Sequence, residues 1–185
     1  IIFQNLCANI SINSITNCCC LESALSEKKN DQFYYPLLNY GSENNFGGIS
    51  LSSESNEFFQ AAKIDTLDDI FSNLQCLKIL KIDEEGMETN VIKGGLNLIK
   101  RTNPFIYFEN DRIEKSQELI ELLWSLEYKV FWHIVPMYNK NNFFKNDNNI
   151  FKNISSLNML GIKKDNEINV NMPEVKDSSF HPLKR

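Results

Sequence analysis

Residues 77–95 have the sequence LKILKIDEEGMETNVIKGG, in which a short apolar run ends in three consecutive acids, a glycine and a further glutamate. The run LKILKID is typical of a strand, and METNVIKGGLNLIK then places apolar residues at helical spacing. The glycine between them supplies the backbone freedom that a sharp turn from strand to helix requires. This stretch therefore predicts a strand, an acidic turn and a helix, with negative charge concentrated at the junction.

The segments on both sides of this junction alternate between strand and helix patterns. Before it, the spacing predicts a helix over IIFQNLCANISIN, a short buried strand over ITNCCCLESAL and a short helix over IDTLDDIFSNL, with Asp65 or Thr66 as the N-cap. After it follow a strand over PFIYFEN, a helix over SQELIELLWSL, and the strands YKVFWHIVPMY and SSLNMLGIKK, joined by a long Asn- and Lys-rich loop. Residues 26–62 are polar and irregular, with a short edge strand expected after Gly48.

This order of segments predicts the fold class. Strands that alternate with helices of ten or more residues are typical of right-handed crossovers, so we expect an α/β fold with a doubly wound, mostly parallel sheet. The last two strands form an antiparallel pair and would add one terminal antiparallel strand. At 185 residues and 42% apolar composition, the chain is expected to form one domain over residues 1–164, followed by a loose polar tail over residues 165–185.

Charge and composition exclude several classes of partner. The net charge of -5 argues against nucleic-acid binding, because a protein that binds the phosphate backbone needs a basic face. The sequence has no apolar stretch of 18 residues and no basic leader with an apolar core, so neither a membrane span nor a signal peptide is predicted. The five cysteines include no CxxC pair, and the run at 18–20 is expected to fill a strand, which fits a reduced, cytoplasmic setting.

Two carboxylates of the acidic region end successive predicted strands. Asp83 ends one strand and Glu109 ends the next, and adjacent strands lie about 5 Å apart. Ligands bind outside the carboxyl ends of such strands, so we expect both side chains to face one cleft. For Glu84 and Glu88 an equally good interpretation is that they offset a helix dipole. A charge at the tip of an apolar strand, as at Asp83, is costly to bury without a partner.

The segment IDEEGMETNVIKGG, followed by NPFIYFEN, resembles the signature of the FkbM-type methyltransferases. That pattern runs roughly I-D-x-E-G-x-E, then an apolar helix with K-G, then P-x-I-x-x-E. The residues at the matching positions are Asp83, Glu85, Gly86, Glu88, Lys93, Gly94, Pro104 and Glu109. The upstream pieces FQNLCANISIN, ESALS, NFGGISL and IDTLDDI are similar as well, so the resemblance extends over about residues 3–158.

The resemblance implies a class I, Rossmann-like fold and S-adenosylmethionine-dependent methyl transfer, commonly to a hydroxyl oxygen of a sugar or small metabolite. It implies catalytic roles for Asp83, Glu85 and Glu109, and contact with the acceptor for Glu88. His133, which lies inside an aromatic strand, is also predicted to contact the acceptor. Asp83 would lie where the cofactor and the acceptor meet, and the adenine would lie against Glu22, Ser23 and Ala24. The family's first strand, its Gly-rich loop and the acidic residue that holds the ribose would precede Ile1, so the chain alone is expected to bind the cofactor poorly.

Methyl transfer leaves alternatives open at these residues. The enzyme must align the acceptor and remove its proton. A carboxylate with a raised pKa could take that proton, or the carboxylate pair could hold a divalent ion that acidifies the hydroxyl, although no metal ligand is indicated. His133 is a further candidate base, and a lone histidine in an aromatic strand also fits a role in the core.

The aromatic residues near the end of the chain also have two interpretations. They could line an acceptor pocket under a lid formed by residues 139–153, or they could belong to the core and to a solvated loop. These residues are Phe131, Trp132, Tyr138, Phe143 and Phe144. His181 lies in the predicted tail, where no role is expected for it.

Two other functions compete with a methyltransferase that acts on a small molecule or glycan. One is a magnesium-dependent, phosphate-handling α/β protein, because clustered acids at strand ends also hold Mg²⁺. That function requires a phosphate cradle, and the sequence contains no P-loop. The other is an inactive, truncated relic or an interaction module that a partner strand completes, because a missing first strand would expose a sheet edge. The oligomeric state stays open.

Overall fold

The computed structural model describes residues 1–184, which form a mixed α/β fold. The helices within this range are α1 (Ile2–Ile12), α2 (Leu67–Ile70), α3 (Glu88–Lys93), α4 (Leu96–Thr102) and α5 (Ile113–Ser125). The strands are β1 (Ala24–Leu25), β2 (Tyr34–Pro36), β3 (Phe59–Ala61), β4 (Ile64–Asp65), β5 (Ile79–Ile82), β6 (Phe105–Glu109), β7 (Tyr128–Pro136) and β8 (Ser155–Lys163).

The largest sheet has four strands in the order β5-β6-β8-β7. β5 and β6 are parallel, whereas β8 runs antiparallel to both β6 and β7. The predicted antiparallel strand pair is confirmed, and its second strand lies inside the sheet rather than at an edge. β1 pairs with β4 and β2 pairs with β3 in two separate small sheets. The α/β class is therefore confirmed, while a single doubly wound sheet stays a prediction.

The hydrophobic core lies between one face of the large sheet and α3, α4 and α5. Alternate strand residues point into this core, as period-two spacing requires, and the helices contribute residues at spacings of three and four. The buried strand residues of this core are Ile82, Ile106, Phe108, Tyr128, Val130, Trp132 and Met159, and the buried residues of α3, α4 and α5 are Val91, Ile92, Leu98, Ile99, Leu119, Ile120 and Leu123. The other face of the sheet is less covered, and Ile79 on it is 64% exposed.

The predicted single helix after the acidic turn is divided into α3 and α4 at Gly94 and Gly95. A Cβ atom at Gly94 would lie 2.0 Å from the Ser26 carbonyl oxygen, and one at Gly95 would lie 2.8 Å from Leu67 Cδ1. Gly95 therefore packs closely against the Leu67 side chain. Asp68 accepts the Leu98 backbone N–H at 2.7 Å, so a side chain from outside satisfies the first turn of the new helix.

The region before the acidic turn differs from the prediction in its strands. Cys18 and Cys19 are exposed and belong to no strand, because no neighbouring segment pairs with them and only Ala24 and Leu25 pair with β4. The expected edge strand after Gly48 is reduced to an isolated bridge between Tyr34 and Ser52. The predicted helix start is confirmed at Thr66, whose Oγ1 accepts the Asp69 N–H at 3.0 Å.

The segment after β8 is packed, although its sequence predicted a loose tail. The Trp132 backbone N–H donates to Pro173 O at 2.9 Å and the Val175 backbone N–H donates to Val130 O at 2.8 Å, so the tail pairs with the outer edge of β7. Val175 is 5% exposed and His181 is 1% exposed. The division of the chain at residue 164 stays a prediction. No helix within residues 1–184 is long and apolar enough to cross a bilayer.

The contact at Gly94 generates the first prediction. Gly94→Ala places a methyl group against a backbone carbonyl that cannot move alone, so the free energy of unfolding should fall by about 1–3 kcal/mol. Gly47→Ala is the matched control, because its Cβ would meet only the Asn45 side chain at 3.6 Å, and it should change stability by less than about 0.5 kcal/mol. Urea unfolding measures both, and equal midpoints for the two variants would contradict the close approach.

Candidate active site

The acidic turn between β5 and α3 is held in a left-handed conformation at Gly86, where φ is +83°. The Met87 N–H donates to Glu84 O at 2.7 Å, and the Gly86 N–H donates to Glu88 Oε1 at 3.2 Å. Lys115 from α5 donates to Gly86 O at 2.6 Å. A side chain at residue 86 would be strained by this φ and would crowd the lysine, so the turn requires glycine.

Glu85 is paired with the start of α5. Its Oε2 accepts a hydrogen bond from Arg112 Nη2 at 2.9 Å, and Arg112 is the N-cap residue of that helix. Both side chains are partly exposed, so the pair joins the acidic turn to α5 without a large desolvation cost. Glu85 is therefore a predicted catalytic residue that already has a cationic partner on another element.

Asp83 and Glu109 lie side by side at the ends of two parallel strands. They directly follow the paired residues Ile82 and Phe108, as the strand pattern predicted. Asp83 is not buried: its side chain is 63% exposed and forms an ion pair with Lys81. Glu109 is half-buried, and its pKa is raised by burial and by the nearby carboxylates, Asp111 first and then Asp83.

The carboxylate that is buried at this junction is Glu88, which is 6% exposed. Burial raises its pKa, hydrogen bonds from the backbone oppose that change, and Asp111 adds to it. The pKa of Glu84 is also raised by burial and by repulsion from Glu88 and Asp83. The expectation that Asp83 carries the cost of a buried charge is wrong, because the first turn of α3 is covered whereas the tip of β5 is open to solvent.

A row of polar residues crosses the large sheet at this end. Glu109 on β6 and His133 on β7 both pair with Asn158 on β8, and Asp83 continues the row beyond β5. Directly paired residues of neighbouring strands point to the same face, so the row lies on one side of the sheet. The structure therefore brings His133 into the same row as the two predicted carboxylates. Asn158 was missed, because its position opposite Glu109 depends on the register of β8.

Tyr107 and His133 form a hydrogen-bonded pair beside this row. The Tyr107 hydroxyl lies 2.8 Å from His133 Nδ1. Burial raises the pKa of Tyr107, so the phenol keeps its proton. Tyr107 was missed in the sequence, although its place two residues before Glu109 puts both on one face of the strand.

A cleft of about 520 Å³ lies beside Glu109, and we call it the β6-end cleft. The β7–β8 hairpin forms much of it, because that hairpin extends past the end of β6. Its lining residues are Glu109, Asp111, Ile134, Asn153, Ile154, Ser155, Ser156, Leu157, Pro182 and Leu183. Glu109 is thus a predicted site residue that faces a cavity large enough for a small molecule.

The aromatic residues proposed for an acceptor pocket do not line the β6-end cleft. Phe131 and Trp132 are buried, at 9% and 4% exposure, and Trp132 belongs to the hydrophobic core. Phe143 and Phe144 are 92% and 86% exposed on the loop between β7 and β8. Tyr138 and Phe144 line a different cleft of about 340 Å³ within that loop. The core and solvated-loop interpretation therefore describes these residues better.

A second cleft, of about 490 Å³, contains the residues predicted to meet adenine, and we call it the β1 cleft. Glu22, Ser23 and Ala24 line it together with apolar residues that include Ile49 and Leu51. The Ser23 hydroxyl donates to Asp65 Oδ2 at 2.8 Å, and this hydrogen bond lowers the pKa of Asp65. The Glu22 carboxylate makes no hydrogen bond or ion pair with any other residue in the described range 1–184.

Metal binding has no ready-made site in the part of the chain that the structure describes. There, no three side chains of His, Cys, Asp or Glu converge closely enough to hold an ion. Glu85 of the turn instead pairs with Arg112, and Lys115 of α5 donates to the Gly86 carbonyl.

Comparison with known families gives one match. The family model described as "Methyltransferase FkbM domain" matches residues 4–130, which is more than half of the chain. The matched region includes the β1 cleft residues, the acidic turn and Glu109. No curated protein and no solved structure matches the chain. The β8 strand and the tail lie outside the matched residues.

Burial of Glu88 predicts a pH dependence of stability. Its pKa is raised in the folded state, so the folded protein loses stability as pH rises through that raised value and the buried carboxyl becomes charged. Glu88→Gln keeps an oxygen for the Gly86 N–H and removes the charge. The difference in the free energy of unfolding between Glu88→Gln and wild type should therefore be close to zero near pH 4. The variant should become increasingly more stable than wild type toward pH 8.

Urea unfolding across this pH range measures the difference. Glu54→Gln, in an exposed loop, is the control, and its difference from wild type should stay constant. If the stability difference between Glu88→Gln and wild type also stays constant with pH, the cost of charging a buried carboxyl does not come from Glu88.

Proposed function

This chain belongs to the FkbM methyltransferase family, and we propose that it transfers a methyl group from S-adenosylmethionine to a hydroxyl oxygen of a sugar or small metabolite. The observation that carries this proposal is Glu109. It is half-buried, its pKa is raised, and it lines the β6-end cleft at the carboxyl end of a strand. A carboxylate in such a place can accept a proton from an acceptor hydroxyl.

S-adenosylmethionine supplies an electrophilic methyl carbon when it is bound. The chain has to align an acceptor oxygen in the cleft and remove its proton. Glu109 is the base in this proposal, because burial and neighbouring acids move its pKa upward, toward the pH at which it would act. A carboxylate with an ordinary pKa would be a weaker base at neutral pH.

The other predicted residues have supporting roles in this proposal. Asp83 is adjacent to Glu109 and raises its pKa by repulsion. Glu85 and Glu88 hold the turn that presents Asp83, one through Arg112 and the other through the Gly86 N–H. His133 is hydrogen-bonded to the Tyr107 hydroxyl and lies in the same polar row as Glu109, so in this proposal it orients the acceptor and leaves the base role to Glu109.

The β1 cleft has a suitable set of groups for the adenosine part of the cofactor. Ile49 and Leu51 give apolar contact for a purine ring. The Glu22 carboxylate is a free acceptor for an exocyclic amine, and Ser23 and Ala24 lie beside it in the same cleft. Asp83 remains the proposed point where cofactor and acceptor meet.

A second candidate function is an interaction module, and the outer edge of β5 favours it. β5 is the end strand of the large sheet, and Ile79 on it is 64% exposed. An unpaired strand edge can accept a strand from another chain. If Glu109→Gln has no effect on methyl transfer while a β5 edge variant abolishes complex formation with another chain, this second function replaces the first.

The proposed base predicts a kinetic effect. Glu109→Gln should lower kcat by about 10²- to 10⁴-fold, because the acceptor proton loses its destination, while the affinity for S-adenosylmethionine stays unchanged. Wild-type activity should increase as pH rises through the raised pKa of Glu109, because only the deprotonated carboxylate is a base. The measurement is the release of S-adenosylhomocysteine with a panel of methyl glycosides as acceptors.

Glu54→Gln is the control for this measurement and should retain wild-type activity, since Glu54 lies in an exposed loop. Glu109→Gln with a wild-type rate and pH profile would exclude Glu109 as the base. An intact parent protein that gives no heat and no thermal shift with S-adenosylmethionine would exclude the cofactor.

The β1 cleft predicts a binding effect. Glu22→Ala should weaken the affinity for S-adenosylmethionine by about 3- to 10-fold, the effect of losing one hydrogen bond. The same factor should appear with adenosine alone, because the carboxylate would contact the base and not the amino acid part. Calorimetric titration measures both, with the exposed Glu43→Gln as the control. If Glu22→Ala binds adenosine as tightly as wild type does, Glu22 does not contact the adenine.

A further inference from the structure

The end of the described chain forms a tight turn around His181. The Lys184 N–H donates to His181 O at 3.0 Å, and the Leu183 N–H donates to His181 Nδ1 at 3.2 Å. Because Nδ1 accepts, the ring carries its proton on Nε2, which donates to Asn110 O at 3.1 Å. The side chain is 1% exposed, so both ring nitrogens are satisfied inside the protein.

The partner of His181 is itself fixed in the core next to the proposed base. Asn110 directly follows Glu109 and is 3% exposed. Its Nδ2 donates to Ser116 Oγ at 2.9 Å, and its backbone N–H donates to Leu157 O at 2.8 Å. The imidazole also packs edge to face against Trp132, with ring centroids 5.4 Å apart. His181 thus ties the tail to the end of β6.

The tail is attached at a second place, where residues 173–175 pair with the edge of β7. Between these two attachments the tail runs from the edge of β7 to the carboxyl end of β6. The consequence of the His181 turn is that Pro182 and Leu183 line the β6-end cleft. Leu183 is 53% exposed, so its apolar side chain is available to a molecule in the cleft.

We propose that His181 is a positioning residue that holds Pro182 and Leu183 as an apolar wall of the acceptor site, and that this wall selects neutral hydroxylated acceptors carrying an alkyl substituent. This inference rests on the proposed function, which identifies the β6-end cleft as the place of the acceptor. The polar side of the cleft holds Glu109 and Asp111, whose carboxylates accept hydroxyl donors and repel anions. The apolar side holds Leu183 with Ile134 and Leu157.

The position of the wall relative to the family match supports a role in selectivity. Glu109 and Asp111 lie within the matched residues 4–130, whereas the hairpin end and the tail lie beyond them. The proposed base and its neighbouring carboxylate therefore come from the part of the chain that the family model covers. The surface that meets the rest of the acceptor comes from the part that the family model does not cover.

Three probes test the selectivity without a methyl donor. Hexyl β-glucoside, below its micelle concentration, has a hydroxylated ring and an alkyl chain; methyl β-glucoside lacks the chain, and hexyl β-glucuronide carries a negative charge. Amide chemical-shift titration of the full chain should show that hexyl β-glucoside perturbs residues 153–157 and Leu183. It should bind more tightly than either of the other two probes.

Variants of the tail test the wall. Leu183→Ala should weaken binding of hexyl β-glucoside by about fivefold, because apolar contact with the alkyl chain is lost, and should leave methyl β-glucoside unchanged. Phe180→Ala is the matched control, because Phe180 is 55% exposed in the same tail and does not line the cleft. It should leave the affinity for all three probes unchanged.

His181→Ala tests the positioning role. It should remove the preference for the hexyl probe and the hydrogen-exchange protection of the Leu183 amide, whereas His181→Gln, whose amide can donate to Asn110 O, should restore most of both. A structural role alone would weaken the methyl and hexyl probes equally. If His181→Ala does not fold, the comparison of Leu183→Ala with Phe180→Ala still decides the question.

Equal effects of Leu183→Ala and Phe180→Ala would overturn the inference, as would equal binding of the glucoside and the glucuronide or no binding of any probe to the wild-type chain. Methyl transfer is not needed for any of these measurements. Failure of the proposed reaction, which the Glu109→Gln kinetics detect, is therefore a separate result from failure of the tail wall.

Discussion

The parallel pairing of β5 with β6 is the constraint on which the site depends. Parallel strands in register end at the same edge of a sheet, so the acidic turn after Ile82 lies beside Glu109 after Phe108. The core formed with α3, α4 and α5 holds this register, because a slip of one residue would turn Ile106 and Phe108 away from the core. The charged groups that surround Glu109 are a consequence of that packing.

Electrostatic repulsion is concentrated at this edge of the sheet. Glu84, Glu88 and Glu109 all have raised pKa values, with burial as the largest cause in each case. Arg112 and Lys115 on α5 offset part of this repulsion through Glu85 and the Gly86 carbonyl. A cluster of acids that destabilises the folded state at neutral pH is typical of a site kept for chemistry rather than for stability.

The cleft beside Glu109 combines segments that are distant in the sequence. Glu109 comes from the middle of the chain, Ser155 and Ser156 come from β8, and Leu183 comes from the tail. The tail reaches the cleft because it follows the edge of β7 and then inserts His181 against Asn110. Asn110 is therefore buried in the protein, whereas the neighbouring Glu109 lines the cleft.

Local patterns predicted the large sheet and its helices well. Strands β5, β6, β7 and β8 and helix α5 lie where periodicity placed them, because each buries a continuous apolar face. Helix α1 also lies where its spacing placed it, although none of its residues is buried. The break at Gly94 and Gly95 was not predicted, since apolar spacing continues through it and the cause is the Ser26 carbonyl, which is 68 residues earlier in the chain. The cysteine run resembled a strand in composition but found no partner strand.

The sequence by itself determined the acidic turn, the neighbouring strand ends at Asp83 and Glu109, and the family signature, because all three depend on local spacing. Only the tertiary structure decided that Glu88 rather than Asp83 is the buried acid, that Asn158 and His133 complete the polar row, and that His181 joins the tail to Asn110. The physical reason is that burial and cross-strand register depend on which distant segments pack together. A polar tail residue such as His181 shows its role only when its partner, Asn110, is in place.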